Sequence, residues 1–234
     1  MKNKCAIMQP HFLPWSGYFN LISKVDKFVF LDDAQYSKNS WQNRNYILSS
    51  SKKLLINIPV IKSPLDTKIK DKLIDKKNNW KNKTTKIILQ SYSKSQYYDD
   101  LKELVDYFLS IKSDYLSDYN IKLIKFVSKK IQINNEFLYS SKFNSSQKRT
   151  KKLINILEKL NVKEYLSPVG AKDYLIKDKF ENLTDIKLSF NEFKVKKYSQ
   201  FNQTKFVENL SIIDVVANLG WINAEDYVKS QKFK

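Results

Sequence analysis

The sequence predicts an α/β fold, a parallel or mixed sheet with flanking helices and a helical insertion. Three observations carry this expectation. The chain opens strand–helix–strand within its first 31 residues, the stretch 80–131 shows helical periodicity alone, and strand and helix patterns alternate again from residue 137 onward. With 234 residues, 42% apolar and 14% aromatic, the chain suffices for a single α/β domain, 1–234, with 80–131 as the insertion.

Residues 4–8 form an apolar strand that ends at Gln9-Pro10. Residues 15–24 read as a short helix with Phe19, Leu21 and Ile22 turned inward. Residues 27–31 are a continuous apolar run, the pattern of a strand covered on both faces. Together they have the length of a parallel crossover unit, so the two strands are expected to be parallel neighbours. Residues 45–49 and 53–60 are strands joined by a turn in the serine-rich linker. The polar, lysine-rich stretch 61–78 is expected to be a mobile loop. Leu101, Leu104, Val105 and Phe108, then Leu116, Tyr119, Leu123 and Val127, recur at helical spacing. A strand at 137–140 precedes an amphipathic helix carrying Leu153, Ile156, Leu157 and Leu160. Tyr165-Leu166 starts a short strand that ends in Ser167-Pro168-Val169-Gly170. Ile186, Leu188 and Phe190 alternate with polar neighbours, which marks a strand with one wet face. Ser211 to Asp214 has the pattern of a capping box opening a terminal helix, which Gly220 should stop.

Composition excludes several classes. The formal net charge of +18 suggests nucleic acid, but of 42 basic residues only Arg44 and Arg149 are arginine. Arginine supplies the bidentate fork that reads base edges, so DNA recognition is not expected, although lysine-driven attraction to polyanions at low salt is. One cysteine, Cys5, and one histidine, His11, cannot build a structural zinc site of the usual ligand types or a disulfide framework. No stretch approaches the ~20 apolar residues of a membrane span, and the N-terminus shows no signal-peptide core, so a cytoplasmic protein is expected. The only glycines are Gly17, Gly170 and Gly220, too few and too scattered for a dinucleotide fingerprint or a phosphate-binding loop.

The chemistry-bearing residues concentrate between Gln9 and Arg44. Met8-Gln9-Pro10-His11-Phe12-Leu13-Pro14-Trp15-Ser16-Gly17-Tyr18 follows a strand and precedes a helix, where open α/β sheets bind ligands. The second strand delivers Asp32, Asp33 and Gln35 to the same edge, followed by Lys38, Trp41, Asn43, Arg44 and Asn45. His11 is the natural general base near neutrality. Asp32 or Asp33 could take a proton from an amine or hold a divalent cation. Arg44 could clamp a carboxylate or phosphate, and Trp15 or Trp41 could stack on a sugar or base. Gln9 and Tyr18 belong to the same turn. Gly170, Lys172 and Tyr174, after the later strand, are expected to form a second wall, with Lys172 facing an anion. Each residue singly also has a structural reading: proline-rich turns are common, and Asp-Asp after a strand often caps a helix.

The run QPHFLPWSGYFNLI…DKFVFLDDAQYSKNSWQNRNYI resembles the WbqC-like family. The resemblance continues through WKNKTTKIILQSYSKSQYY, KEYLSPVGAKDYL, KKYSQ and LSIIDVVANLG, nearly the whole chain. Members occur among genes for bacterial surface polysaccharides. The resemblance implies glycine transfer onto an amino sugar, giving an N-glycyl group. A second resemblance concerns nucleotidyltransferase-like folds, a Rossmann-like class whose His-x-Gly-His motif follows the first strand. Here Trp15-Ser16-Gly17-Tyr18 stands at that place, with both histidines replaced.

The resulting expectation is a transferase acting on a nucleotide-linked amino sugar, with His11 or Asp32 as base. Arg44 and Lys172 would hold anions, and Trp15, Trp41 and Tyr174 would pack on the ligand. Glycine would arrive activated, as an adenylate made from ATP or as charged tRNA. A metal-dependent glycosyltransferase using Asp32 and Asp33, or a non-catalytic sugar-nucleotide-binding protein of the same pathway, are the alternatives.

Overall fold

The computed structural model describes residues 3–201 and 203–229. Strand β1 (Lys4–Met8), helix α1 (Ser16–Ser23) and strand β2 (Lys27–Phe30) open the chain. A hairpin of β3 (Arg44–Ser49) and β4 (Lys52–Asn57) follows. Then come α2 (Trp80–Ser91), α3 (Tyr98–Ser110) and α4 (Leu116–Lys130), which are the helices foreseen for 80–131. The remainder is β5 (Glu136–Tyr139), α5 (Arg149–Lys159), β6 (Glu164–Pro168), α6 (Lys172–Lys177), β7 (Lys187–Asn191) and α7 (Ile212–Lys229).

Strands β1 and β2 are parallel neighbours, with Cys5 opposite Lys27 and Met8 opposite Phe30. All the pairings of the main sheet are parallel, in the order β5-β2-β1-β6-β7. Among the described residues, five parallel strands flanked by seven α-helices make a Rossmann-like fold. The β3–β4 hairpin is antiparallel and stands apart as its own two-stranded sheet. Ser50 and Ser51, both at positive φ, make its turn.

The strands alternate sides as a pleat requires. Cys5, Ile7 and Val29 pack with Leu153, Leu157 and Leu175 of α5 and α6. Ala6, Phe28 and Phe30 face the opposite cluster, shared with α1, α4 and α7. Both layers are buried, Cys5 and Val29 on one side and Phe28 and Phe30 on the other, and truncating either phenylalanine to alanine should cost about 3–5 kcal/mol. Among the described residues no helix is long and apolar enough to cross a membrane.

Three expectations are corrected. The stretch 61–78 is pinned, because Ile69 and Ile74 are buried and the backbone N–H groups of Ile69, Lys70 and Ile74 donate to Ala34, Asp32 and Asp114 at 2.8 Å each. Its Lys72 ammonium lies 4.7 Å over the Tyr36 ring and donates to Ser63 Oγ at 2.6 Å. Ser211 and Asp214 do not form a capping box. Ser211 N donates to Tyr46 O, and the Asp214 carboxylate turns into the core to accept from Tyr92 Oη (3.0 Å), Tyr198 Oη (2.5 Å) and Gln200 Nε2 (2.8 Å). Gly220 does not stop the last helix but kinks it, at φ 70° and ψ 175°, and helical structure resumes to Lys229.

Candidate functional site

From β1 the chain proceeds outward through β2 to β5, and from β6 outward in the other direction to β7. The carboxyl ends of β1 and β6 are therefore the point where strand order reverses, the place where open α/β sheets form a crevice. A cleft of about 980 Å³ lies there. Gln9, His11, Trp15 and Tyr18 line it after β1, Leu31 after β2, and Gly170 and Tyr174 after β6. Trp41 and Asn45 close the hairpin side, and Glu192, Phe193 and Lys194 the side beyond β7.

The loop that carries His11 is held at nearly every carbonyl. Tyr18 Oη donates to Gln9 O at 3.0 Å, and Asn120 Nδ2 donates to Pro10 O at 3.0 Å. Asn45 Nδ2 donates to Phe12 O (3.1 Å) and Leu13 O (2.7 Å), and Ser211 Oγ also donates to Leu13 O (2.8 Å). Ile212 N donates to Pro14 O, and Phe12 N to Trp41 O, both at 2.9 Å. Leu13 has φ 40°, a conformation costly for a residue with a branched side chain. The surrounding donors from α4, β3 and α7 keep it there. Asn120 also donates to Gln42 O at 2.7 Å, and Gln42 Nε2 to Gln9 Oε1 at 2.8 Å, so the turn after β1 and the segment before β3 form one rigid wall.

His11 is part-buried on this wall, its ring 5.5 Å from that of Tyr18, and its imidazole makes no hydrogen bond among the described residues. Burial pulls its pKa from 6.5 down to about 4. The imidazole is therefore uncharged throughout the neutral range, and the burial that keeps it so also makes it a weaker base than the one expected from the sequence. Trp15 stands edge-on to Phe193 at 5.5 Å and lies over the Cα of Gly17, where an added Cβ would come within 2.4 Å of the indole. Trp41 is 47% exposed at the rim and meets Tyr46 edge-on. Burial raises the Tyr174 pKa, with Asp178 adding to the effect and Arg149 opposing it.

Several residues foreseen for the site lie outside it. Asp32 is buried, and its carboxylate accepts from Ser140 Oγ (3.0 Å), Ser141 N (2.9 Å) and Ser141 Oγ (2.7 Å). It fastens the turn after β5 and does not line the cleft. Asp33 takes the Lys152 ammonium at 2.6 Å and a contact from Ser140 Oγ. Desolvation works against its charge, but Lys152 and Ser140 outweigh it and hold the carboxyl below its usual range. Gln35 donates to Leu65 O at 2.6 Å and Asn43 to Ile58 O at 3.0 Å, both backbone ties. Lys38 is exposed on the loop before the hairpin. Arg44 begins β3 opposite Asn57, with its charge beside Tyr36 and no carboxylate partner among the described residues. Lys172 lies 5.7 Å over the Phe190 ring, although its neighbours Gly170 and Tyr174 do reach the cleft.

Sequence reasoning missed Asn191, Glu192, Phe193, Lys194 and Asn209. They carry no motif: the placement of β7 beside β6 brings Asn191 to Lys194 to this edge, and the docking of the start of α7 on Tyr46 and Pro14 brings Asn209. Among the described residues no group of three or more His, Cys, Asp or Glu side chains is arranged to hold a metal.

The sequence pattern of the WbqC-like protein family matches residues 9–226. The chain is 30% identical over 230 residues to the uncharacterized protein Rv1507c of Mycobacterium tuberculosis, covering 97% of each chain. No solved structure matches it. The match takes in the turn after β1, the hairpin, all the helices that hold them and the wall beyond β7, and on this ground the chain belongs to the WbqC-like protein family.

Proposed function

We propose that this chain is a transferase of bacterial surface polysaccharide (O-antigen or capsule) biosynthesis, placing a glycyl group on the amine of a nucleotide-linked amino sugar. The observation that carries the reading is the cleft at the strand-order reversal, with an uncharged, unpartnered His11 on its wall. Aromatic faces at Trp15, Trp41 and Tyr174 suit a base and a sugar ring, and the Gln9 amide stands beside them. In the reaction the sugar amine, uncharged once its ammonium proton has passed to solvent, attacks the carbonyl carbon of activated glycine. A C–N bond forms, the bond to the activating group breaks, and the amine proton passes to His11.

The activated glycine would be glycyl adenylate made from ATP, or glycyl-tRNA. The net charge of +18 suits ATP or tRNA as the polyanion that supplies the activating group, and the lack of a glycine-rich phosphate loop calls for a site of another kind. We assign the reaction to the cytoplasm, where both substrates are made. We also read 1–234 as one α/β domain with 80–131 inserted, supported by the buried cluster that joins α1 and the sheet to α2, α3 and α4. The glycosyltransferase reading loses its motive, since Asp32 and Asp33 are committed to Ser140, Ser141 and Lys152.

The test is incubation of the protein with a nucleotide-linked amino sugar, glycine and ATP, and separately with glycyl-tRNA. A mass gain of one glycyl group on the sugar nucleotide in either reaction supports the proposal. Tight binding of the sugar nucleotide without turnover by either donor would make the protein a binding component of the pathway.

A further inference from the structure

Resting on the reading of the cleft as a nucleotide-sugar site, we propose that Glu192 recognises a protonated primary amine on the ligand, so that the cleft selects an amine-bearing sugar over its N-acetylated or hydroxyl counterpart. Glu192 is the only carboxylate among the described residues that line the cleft. It makes no hydrogen bond or ion pair among them, although the chain has 42 basic residues against 24 acidic ones. The acids after the carboxyl end of β2 are spent, Asp32 on Ser140 and Ser141 and Asp33 on Lys152. A carboxylate left unpaired at a concave wall of so basic a protein is available to a cation brought in from outside.

The backbone that carries Glu192 is anchored on both sides. Asn191 is the last residue of β7, opposite Pro168, and its Oδ1 accepts from Lys24 Nζ at 3.0 Å. Phe193 packs edge-on against Trp15 at 5.5 Å and against Tyr227 at 6.2 Å. Glu192 therefore stands at a fixed place beyond the end of β7, on the edge shared with Gly170 and His11. The field of the whole chain, at +18, draws a polyanion and repels a simple cation. A ligand with phosphates at one end and an ammonium at the other satisfies both the long-range field and the local carboxylate. The discrimination is direct: an ammonium offers a charge-assisted hydrogen bond that an acetamido or hydroxyl group cannot match.

The experiment measures binding of UDP-glucosamine, UDP-N-acetylglucosamine and UDP-glucose by calorimetry and by tryptophan fluorescence, since Trp15 and Trp41 line the cleft. The wild-type protein should favour UDP-glucosamine by about 10-fold or more, the equivalent of one charged hydrogen bond. The preference should fade as the pH is raised until the sugar amine loses its proton. Glu192→Gln should bind all three ligands alike with unchanged thermal stability, because the side chain is exposed and unpaired, and Glu192→Asp should retain part of the preference. Equal wild-type affinities, or a preference that survives in Glu192→Gln, would overturn the role of Glu192 while leaving the nucleotide-sugar site intact. Failure of all three ligands to bind would overturn the site reading, and this inference with it.

Discussion

The side-chain amide of Asn45 donates at 2.7 Å to the carbonyl of Leu13, whose φ of 40° sets the direction of the loop bearing His11. This bond, with the one from the same amide to the Phe12 carbonyl, joins the hairpin to the turn after β1. Replacing Asn45 by Ala leaves the Phe12 and Leu13 carbonyls short of a donor, although Ser211 still serves Leu13. The expected loss is about 1–3 kcal/mol of stability, the cost of leaving a buried acceptor unpaired. A structural role alone would stop there. If the bond also positions His11, the imidazole resonances, the only histidine signals in the chain, should broaden or shift under conditions where the variant remains folded. Urea titration and NMR of the imidazole check the two parts separately.

The pH dependence of stability follows from His11. Its pKa is 6.5 in an unfolded chain and about 4 in the folded one, through burial. Between those values the unfolded state binds more protons, so this contribution is fully present above about pH 6.5 and is lost as pH falls toward 4. The loss amounts to at most about 3 kcal/mol, at 1.36 kcal/mol per pKa unit. Denaturation midpoints from pH 7 down to pH 5, above the main carboxylate range, should decline in the wild type and stay flatter in His11→Gln. A histidine resonance that titrates near 6.5 would show the imidazole to be solvated instead.

His11 also carries the chemical prediction. His11→Ala should lower turnover by about 10²–10⁴-fold, the usual contribution of a general base, with substrate binding nearly unchanged. Because the folded imidazole is already unprotonated at neutrality, the acid limb of the wild-type rate profile should lie well below pH 6.5. Steady-state rates across pH, compared with ligand affinity, test this. Equal turnover in the variant would remove His11 from the mechanism.

Much of this architecture is legible in the chain because local signals agree with the global fold. The apolar run at 27–31 announces a strand covered on both faces, the apolar stretch at 4–8 a strand beside it, and the intervening helix makes them parallel. The cleft edge after β1 and Gly170 after β6 follow from strand ends alone. Asp32 illustrates what does not follow. Leu31 lines the cleft, and one residue further the chain sends its side chain to Ser140 and Ser141, more than a hundred positions away. Nothing in Leu-Asp-Asp distinguishes a carboxylate facing a ligand from one fastening a neighbouring turn. The stretch 61–78 misleads for a related reason. Two buried isoleucines among many lysines make no periodic pattern, and its order comes from hydrogen bonds to segments distant in sequence.

Asp32 and Arg44 give the contrasting pair. Asp32→Asn loses charge at three hydrogen bonds and sets an NH2 group against donors, so stability should drop on the order of 2–3 kcal/mol. Turnover per folded molecule should be unaffected. Arg44→Lys, at a position outside the cleft, should leave ligand affinity within error. Chemical denaturation combined with activity normalised to folded protein separates these outcomes, and a rate defect in folded Asp32→Asn would return the carboxylate to the site.

Gly17 offers a test of the aromatic wall. Its φ is not in the left-handed region, so the backbone admits alanine, and as the second residue of α1 it gains no more than the roughly 1 kcal/mol by which a helix interior favours alanine over glycine. The obstacle is the Trp15 indole, whose ring atoms lie 2.4–2.8 Å from the place a Cβ would take. The indole is the far end of a side chain and can swing, whereas the helix cannot. Gly17→Ala should therefore fold with a stability close to wild type but with the indole displaced from Phe193 and from its place in the cleft. Ligand affinity should fall while the far-ultraviolet spectrum stays unchanged. The change in tryptophan emission between wild type and Gly17→Ala should vanish when both carry Trp15→Phe, which assigns it to this indole among the four tryptophans of the chain. Unchanged emission and affinity in Gly17→Ala would mean that Trp15 is not the wall of the binding site.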